Sequence, residues 1–444
     1  MKSFCGVSGA LSGASLDKLG AKSYFQFMDL RSDFLTQVWL PYPAMPQDLF
    51  SFGRIDELTS DSISLGGHKL FLSAKILLGP ANKPILIEAV NLRLYLQALD
   101  LIGLRKENEM VSEVFLFAPC TAPPLSSMAS VSLLQSWQLM LGKTREFFMQ
   151  RQFLEIQTPT LVVCPGTEPF LDFFQTEYIF GRKQQTFFLP TSPELHLKKA
   201  LHLGFNKIFE IRTCFRNGEL SPLHQPEFFM LEWYRSFSDL KSIQLDLIEL
   251  VCHLAEVFSA KLSLSPANFT YKSMADLFAE FCNFTLTTKT SIEDLQTLAR
   301  KFGNPVDHFT DWDDVFFQIY VDVIEPKLTA YPFLFIQKYP PSQAAFARLT
   351  EDGWGDRFEF YINGIEIANA FHELNDPTIQ RQRFAEDLQK KKVLGKPCPP
   401  LDADFLQALA AGMPPSGGIA VGLERIFMAF TGIADIRQTR IFPM

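Results

Sequence analysis

The sequence is short of several things, and each shortage excludes a class of protein. Its seven cysteines are scattered over 444 residues with no CxxC pair among them. An odd, dispersed set offers neither a disulfide framework nor zinc-ligand spacing, so a reducing compartment, the cytoplasm, is the expected setting. No run of about 18 uncharged apolar residues occurs, the length a membrane-crossing helix needs. Residues 1–20 carry only a short apolar stretch broken by Gly and Ser, without a strongly basic start, so no signal peptide is expected. A basic excess is missing too: the net charge is −8 and the pI about 5.5, which argues against a protein whose whole surface wraps nucleic acid. Internal repeats and low-complexity tracts are absent.

What remains is a globular composition, 47% apolar and 20% charged, with 44 Phe to build an aromatic core. The length exceeds one typical core, so two or three domains are expected. Residues 1–45 read as irregular. From residue 49 to about 104 the pattern is of short strands: 52–55, 62–65 before Gly66-Gly67, 70–78 and 84–96. This predicts a small β-rich domain over residues 1–126, for which a barrel is one form. Residues 1–130 hold 11 Lys and Arg against 12 Asp and Glu, without the basic excess of a module that grips tRNA. Pro, Ser and Ala crowd residues 118–130, read as a linker.

The second domain, 127–444, mixes helices with antiparallel hairpins, an α+β pattern. A long helix is predicted at 131–151, then a strand at 153–156 ending before Thr158-Pro159, and a strand at 186–189. Ser192-Pro193-Glu194 is a helix start and Gly204 its stop. Residues 207–216 read as a strand, followed by a loop of Gly, Pro and His. A further strand follows in which Phe228, Met230, Glu232 and Tyr234 share one face. Helices are expected at 236–260, 290–303 and 376–394, and a hairpin at 357–370 turning at Asn363-Gly364. Gly417-Gly418 leads a strand, and 423–430 is the last helix.

Three stretches carry candidate chemistry. Arg216 beside a strand bearing a carboxylate and an aromatic makes a pocket for a small polar ligand with an anionic group. In the hairpin, Tyr361 should pair with Glu366, which puts Glu359 and Glu366 on one face as diagonal neighbours. Two such carboxylates suit Mg²⁺ bridging nucleotide phosphates; a bare pair is also what a solvated acidic face looks like. Asn369 and Glu373 could bind an ammonium, although simple alternation sets Asn369 on the face away from Glu366. In Gly417–Arg425 (GGIAVGLER) the glycines permit close approach to a ligand, and Arg425 could meet a phosphate or a base.

Together these stretches resemble the catalytic domain of class II aminoacyl-tRNA synthetases, with residues 153–159 (FLEIQTP) as motif 1, 215–235 as motif 2 and 417–428 as motif 3. TSPELHLKKAL, EIANAFHELND and IRQTRIFP point to the lysine branch. MLEWYR, FHEL, PPSQAA and Ala420 are more similar to the family of synthetase-like enzymes that attach β-lysine to a lysine of translation elongation factor P. The resemblance implies a homodimer that uses ATP and Mg²⁺, a lysine-like amino acid and elongation factor P as acceptor, with no membrane and no tRNA expected. Lysyl-tRNA synthetase is the alternative. It implies roles as well. Arg216 would hold the α-phosphate and the substrate carboxylate, and Arg425 the γ-phosphate. Phe228 would stack under adenine, with Asn217, Gly218, His224, Gln225, Ile367 and Gly422 around the nucleotide and Glu359 and Glu366 on Mg²⁺. Ser192, Pro193, Glu194, Glu232, Tyr234, Asn369, Phe371 and Glu373 would surround the amino acid. Ala420, where tRNA-charging enzymes carry Gly, would narrow the room near its α-carbon. Gly218 and Gln225 depart from the family's Glu and Asn, and the N-terminal domain is extra.

Overall fold

In a computed structural model of the chain, the described residues are 51–59, 62–65, 68–78, 85–89, 92, 96, 100–118, 129–258, 264, 266–304 and 311–443. Residues 1–45 and most of the expected linker lie outside them. The described residues fall into two compact units that part between Leu133 and Leu134. No described helix is long and apolar enough to cross a membrane.

The first unit is strand-rich, as expected. β1 (Ser51–Leu58), β2 (Ser62–Leu65), β3 (His68–Leu78), β4 (Ile85–Glu88), β5 (Leu101–Glu107) and β6 (Met110–Ala118) form a sheet ordered β2-β1-β5-β6-β3-β4, with a further pairing of β2 to β3. Alternation supplies its core: Ile63, Leu65, Leu72, Ile76, Leu78, Ile102 and Leu104 are buried together with Val111 and Val114. The turn from β5 to β6 is Asn108-Glu109, both at positive φ, 52° and 65°. It has the sense of a mirror-image hairpin turn but no glycine to announce it.

The helix α1 (Val131–Gln150) starts just before the division and runs into the second unit, which continues with β7 (Leu154–Glu155), the hairpin β8 (Gln175–Phe180) and β9 (Lys183–Phe188), and α2 (Glu194–His202). β10 (Lys207–Phe215), β11 (Glu227–Ser236) and α3 (Leu240–Val257) come next. Then follow β12 (Phe269–Ser273), α4 (Met274–Cys282), α5 (Ile292–Lys301), α6 (Trp312–Ile319) and β13 (Phe333–Tyr339). The chain closes with β14 (Gly355–Ile362), β15 (Ile365–His372), α7 (Pro377–Val393), α8 (Ala403–Gly412), β16 (Ser416–Gly422) and α9 (Leu423–Thr431). Eight strands form one sheet, β12-β13-β14-β15-β16-β11-β10-β7, antiparallel except for β12–β13 and β10–β7.

The two faces of this sheet differ in chemistry because the strand period is two. On one face Phe209 and Trp233 are fully buried, and Phe148 of α1 packs on them with ring centroids 4.8 and 5.0 Å away. On β13 and β14, Phe335 continues this packing against Phe358 and Phe360, at 5.2 and 4.7 Å. Each such ring is worth about 1.5–3 kcal/mol on burial, so this face fixes the sheet. The residues between them are thereby turned to the opposite face. The hairpin turns at Asn363-Gly364 as predicted, with φ of 49° and 81°.

Candidate active site

The register sets Glu210, Glu232, Ala420, Asn369 and Glu359 opposite one another in a row across β10, β11, β16, β15 and β14. The next row on the same face holds Tyr234, Gly418, Phe371 and Arg357. Tyr361 pairs with Glu366 as expected, but Phe360 pairs with Ala368, so Ile367 is an extra residue on β15. This bulge changes the phase of the strand. It brings Glu366 and Asn369, which plain alternation separates, to the wall of one cavity of about 380 Å³.

One end of the cavity is cationic. The Arg216 Cζ lies 5.1 Å from the centroid of the Phe228 ring. Among the described residues this guanidinium has no ion-pair partner, and its buried Nε has no hydrogen-bond partner. Arg425 donates from Nη1 to the Glu366 carbonyl at 2.9 Å, and its Nη2 lies 2.6 Å from His224 Nε2. A guanidinium only donates, so Nε2 accepts and the ring proton sits on Nδ1, 2.9 Å from Ser221 Oγ. Burial and the Arg425 charge both push the His224 pKa down, which keeps the ring neutral.

The other end is acidic. Glu232 is 1% exposed and accepts from the hydroxyls of Ser192 at 2.6 Å and Tyr234 at 3.0 Å. Burial and then the charge of Glu194 push its pKa up to about 8. Glu194 lies 2.5 Å from the ammonium of Lys198, which is fully buried and also 2.5 Å from Glu373. Burial alone would lower the Lys198 pKa; the two carboxylates overcome it and raise the group.

The cavity wall includes Ser192, Glu194, Arg216, His224, Gln225, Phe228, Glu232 and Tyr234, and on the other strands Glu366, Ile367, Asn369, Phe371, Ala420, Gly422 and Arg425. Five expected site residues do not line it. Pro193 begins the turn into α2, and the Asn217 amide is bound to the Asp172 carbonyl at 2.9 Å. Gly218 turns the chain at a φ of +80°, and the neighbouring Glu219 reaches the wall. Glu373 lies behind the wall with Lys198. Glu359 lies behind Glu366, held by Arg357 at 2.5 Å and the Tyr361 hydroxyl at 2.8 Å. It is therefore not part of a solvated acidic face; burial raises its pKa and the charge of Glu366 adds to the rise. Among the described residues no group of three or more His, Cys, Asp or Glu could hold a metal alone. A carboxylate pair fits an ion that takes its other donors from phosphate and water.

Residues both behind the wall and on it escape the sequence reading. Lys198 was findable, since it follows Glu194 by four residues on a helix. Glu168, in the loop before β8, carries no such signal.

A family model described as tRNA synthetases class II (D, K and N) matches residues 127–444. The elongation factor P–(R)-β-lysine ligase of Hamiltonella defensa is 32% identical over 314 residues, 69% of this chain and 93% of that protein. The ligase of the same name from Photorhabdus laumondii is 33% identical, over 71% of this chain and 96% of that protein. The one from Haemophilus influenzae is 34% identical, over 65% and 88%. The chain thus belongs to the class II tRNA synthetase family, and within it to the group of the elongation factor P–(R)-β-lysine ligases.

Proposed function

We propose that the cavity activates a lysine-like diamino acid, β-lysine, with ATP and that the enzyme transfers the acyl group to a lysine side chain of elongation factor P. The observation that carries this reading is the polarity of one cavity: Arg216 and Arg425 at one end, Glu232 with Ser192 and Tyr234 at the other. The first end suits a triphosphate and a carboxylate, the second an ammonium.

In the first step a carboxylate oxygen of the amino acid attacks the α-phosphorus of ATP. The bond to the oxygen bridging to the β-phosphate breaks, and pyrophosphate leaves. Arg216 holds the carboxylate and the α-phosphate together; lacking an ion-pair partner, it gives up no contact to do so. Phe228 takes the adenine face, and His224, Gln225, Ile367 and Gly422 line the nucleotide around it, with Asn217 and Gly218 shaping the loop. Arg425 meets the γ-phosphate. Positioning and charge neutralisation are the whole of this catalysis. Glu366, with Glu359 behind it, would hold Mg²⁺, which when bound offsets phosphate charge.

In the second step a neutral lysine amine of the acceptor attacks the acyl carbon. The bond from that carbon to the AMP oxygen breaks, AMP leaves, and the amine sheds a proton. No side-chain nucleophile is needed. The exposed apolar side chains Leu154, Leu161 and Val163 in and after β7 support a homodimer through this segment. The test supplies ATP, labelled α- or β-lysine, and either tRNA or elongation factor P. Label on elongation factor P from β-lysine is expected; label on tRNA and never on the protein overturns the reading.

A further inference from the structure

Glu168 lines the same cavity but belongs to none of the motifs. Its loop is tied down at three points. Thr191 Oγ1 donates to the Pro165 carbonyl at 2.7 Å, Thr167 Oγ1 to Asp387 Oδ2 at 2.8 Å, and the buried Lys391 ammonium to the Leu171 carbonyl at 2.8 Å. At its far end the Asp172 carbonyl accepts the Asn217 amide at 2.9 Å. The loop therefore runs from beside Ser192 to beside Arg216, and Glu168 lies between the amine ligands and the arginine that takes the substrate carboxylate. A Cβ on Gly166 would collide with the Glu168 carboxylate, so glycine there leaves the group its room.

The charge balance says what the group lacks. Among the described residues Glu168 has no ion-pair partner. Burial, with the charges of Glu194 and Asp387, pushes its pKa up to about 7, against the pull of its own backbone amide and of Arg216. Glu194 and Glu373 already share Lys198. A diamino acid brings two ammonium groups. Glu232 and Tyr234, which follow Phe228 along β11 and so lie farther from the nucleotide end, suit the distal one.

We propose that Glu168 is a substrate-binding residue that takes the amine nearest the reacting carboxylate, leaving the distal amine to Glu232 and Tyr234. This rests on reading the cavity as a diamino-acid activation site. The test is ATP–pyrophosphate exchange by the full chain and by its Glu168→Gln variant, which keeps the shape and removes the charge. The variant should raise the KM for β-lysine roughly 10–100-fold and leave the KM for ATP unchanged. As competitors of β-lysine, β-aminohexanoate should bind the variant more weakly than the parent and ε-aminohexanoate equally well. Glu168→Asp should recover part of the loss. An unchanged KM, or an equal weakening of both monoamines, overturns the proposal. No exchange by the parent with β-lysine overturns the reading of the cavity itself.

Discussion

Glu232 and Ala420 stand directly opposite each other across β11 and β16, and Asn369 stands opposite Ala420 on its other side. A methyl group therefore sits in this row between two polar side chains of the cavity wall. Lysine and β-lysine differ by the carbon that bears the inner amine, so they differ in how they fill that space. Removing the methyl with Ala420→Gly should raise activation of α-lysine relative to β-lysine by roughly tenfold or more, the scale of one buried carbon in a pocket. The ratio of kcat/KM for the two amino acids in pyrophosphate exchange measures it. An unchanged ratio would show that this wall does not discriminate.

Arg216 and Arg425 should fail in different ways. Arg216 has no competing ion pair among the described residues, so its positive charge is fully available as charge moves between carboxylate and α-phosphate. Arg216→Ala should cost on the order of 10²–10³ in kcat for exchange. Arg425 forks between the Glu366 carbonyl and His224. Arg425→Lys keeps the charge and loses the fork, so it should raise the KM for ATP with a smaller effect on kcat. If both variants move kcat and KM alike, the separate roles are wrong.

Much of this arrangement was legible because turn and motif residues are chemically marked. Asn363-Gly364 announces a turn with positive φ at both positions, and the observed pairing of Tyr361 with Glu366 follows from it. The bulge at Ile367 is not marked. In IEIANAF the two polar residues stand three apart, out of step with alternation, but that spacing does not say where an extra residue sits; the registers that β14 and β16 both demand of β15 place it. That unmarked residue is what joins Asn369 to Glu366. Ser273 and Asp276 form a capping box at the start of α4, a start signal present in the sequence though α4 was not among the expected helices. β13 opens with the short apolar run FLFI, which periodicity cannot separate from buried helix, and β12, FTYKS, has only five residues. Glu168 is visible only once the loop is folded against α7.

Lys198 is the cation that Glu194 and Glu373 share among the described residues, and its removal should be a stability defect before it is a catalytic one. Lys198→Met leaves Glu194 and Glu373 without their shared ammonium in a site where Lys198 and Glu373 are fully buried. Breaking a buried pair by removing one partner costs about 3–5 kcal/mol. Denaturant unfolding should show a loss of that order, and adding Glu373→Gln should recover part of it by neutralising a stranded charge. A Lys198→Met protein as stable as its parent would mean that the two carboxylates are protonated or hydrated without the lysine.

The Glu232 carboxyl sets a pH dependence whose sign can be worked out. Its pKa rises from the ordinary 4.5 to about 8, mainly through burial. Between those values the folded protein holds a proton that the unfolded chain would release. The stability this group contributes is therefore full below pH 4.5 and is lost as pH rises toward 8. An ammonium that binds Glu232 takes the place of the proton. Binding of β-lysine should then release protons, and affinity should strengthen as pH rises through this window, by up to about tenfold per pH unit. Calorimetry in buffers of different ionisation enthalpy counts the protons released. Glu168 titrates in the same window, up to about 7. Glu232→Gln should accordingly reduce the release, with the larger fractional loss above pH 7, where Glu168 holds less of its proton. Proton release in the Glu232→Gln variant equal to that of the parent would assign the titration to another group and remove Glu232 as the ammonium's partner.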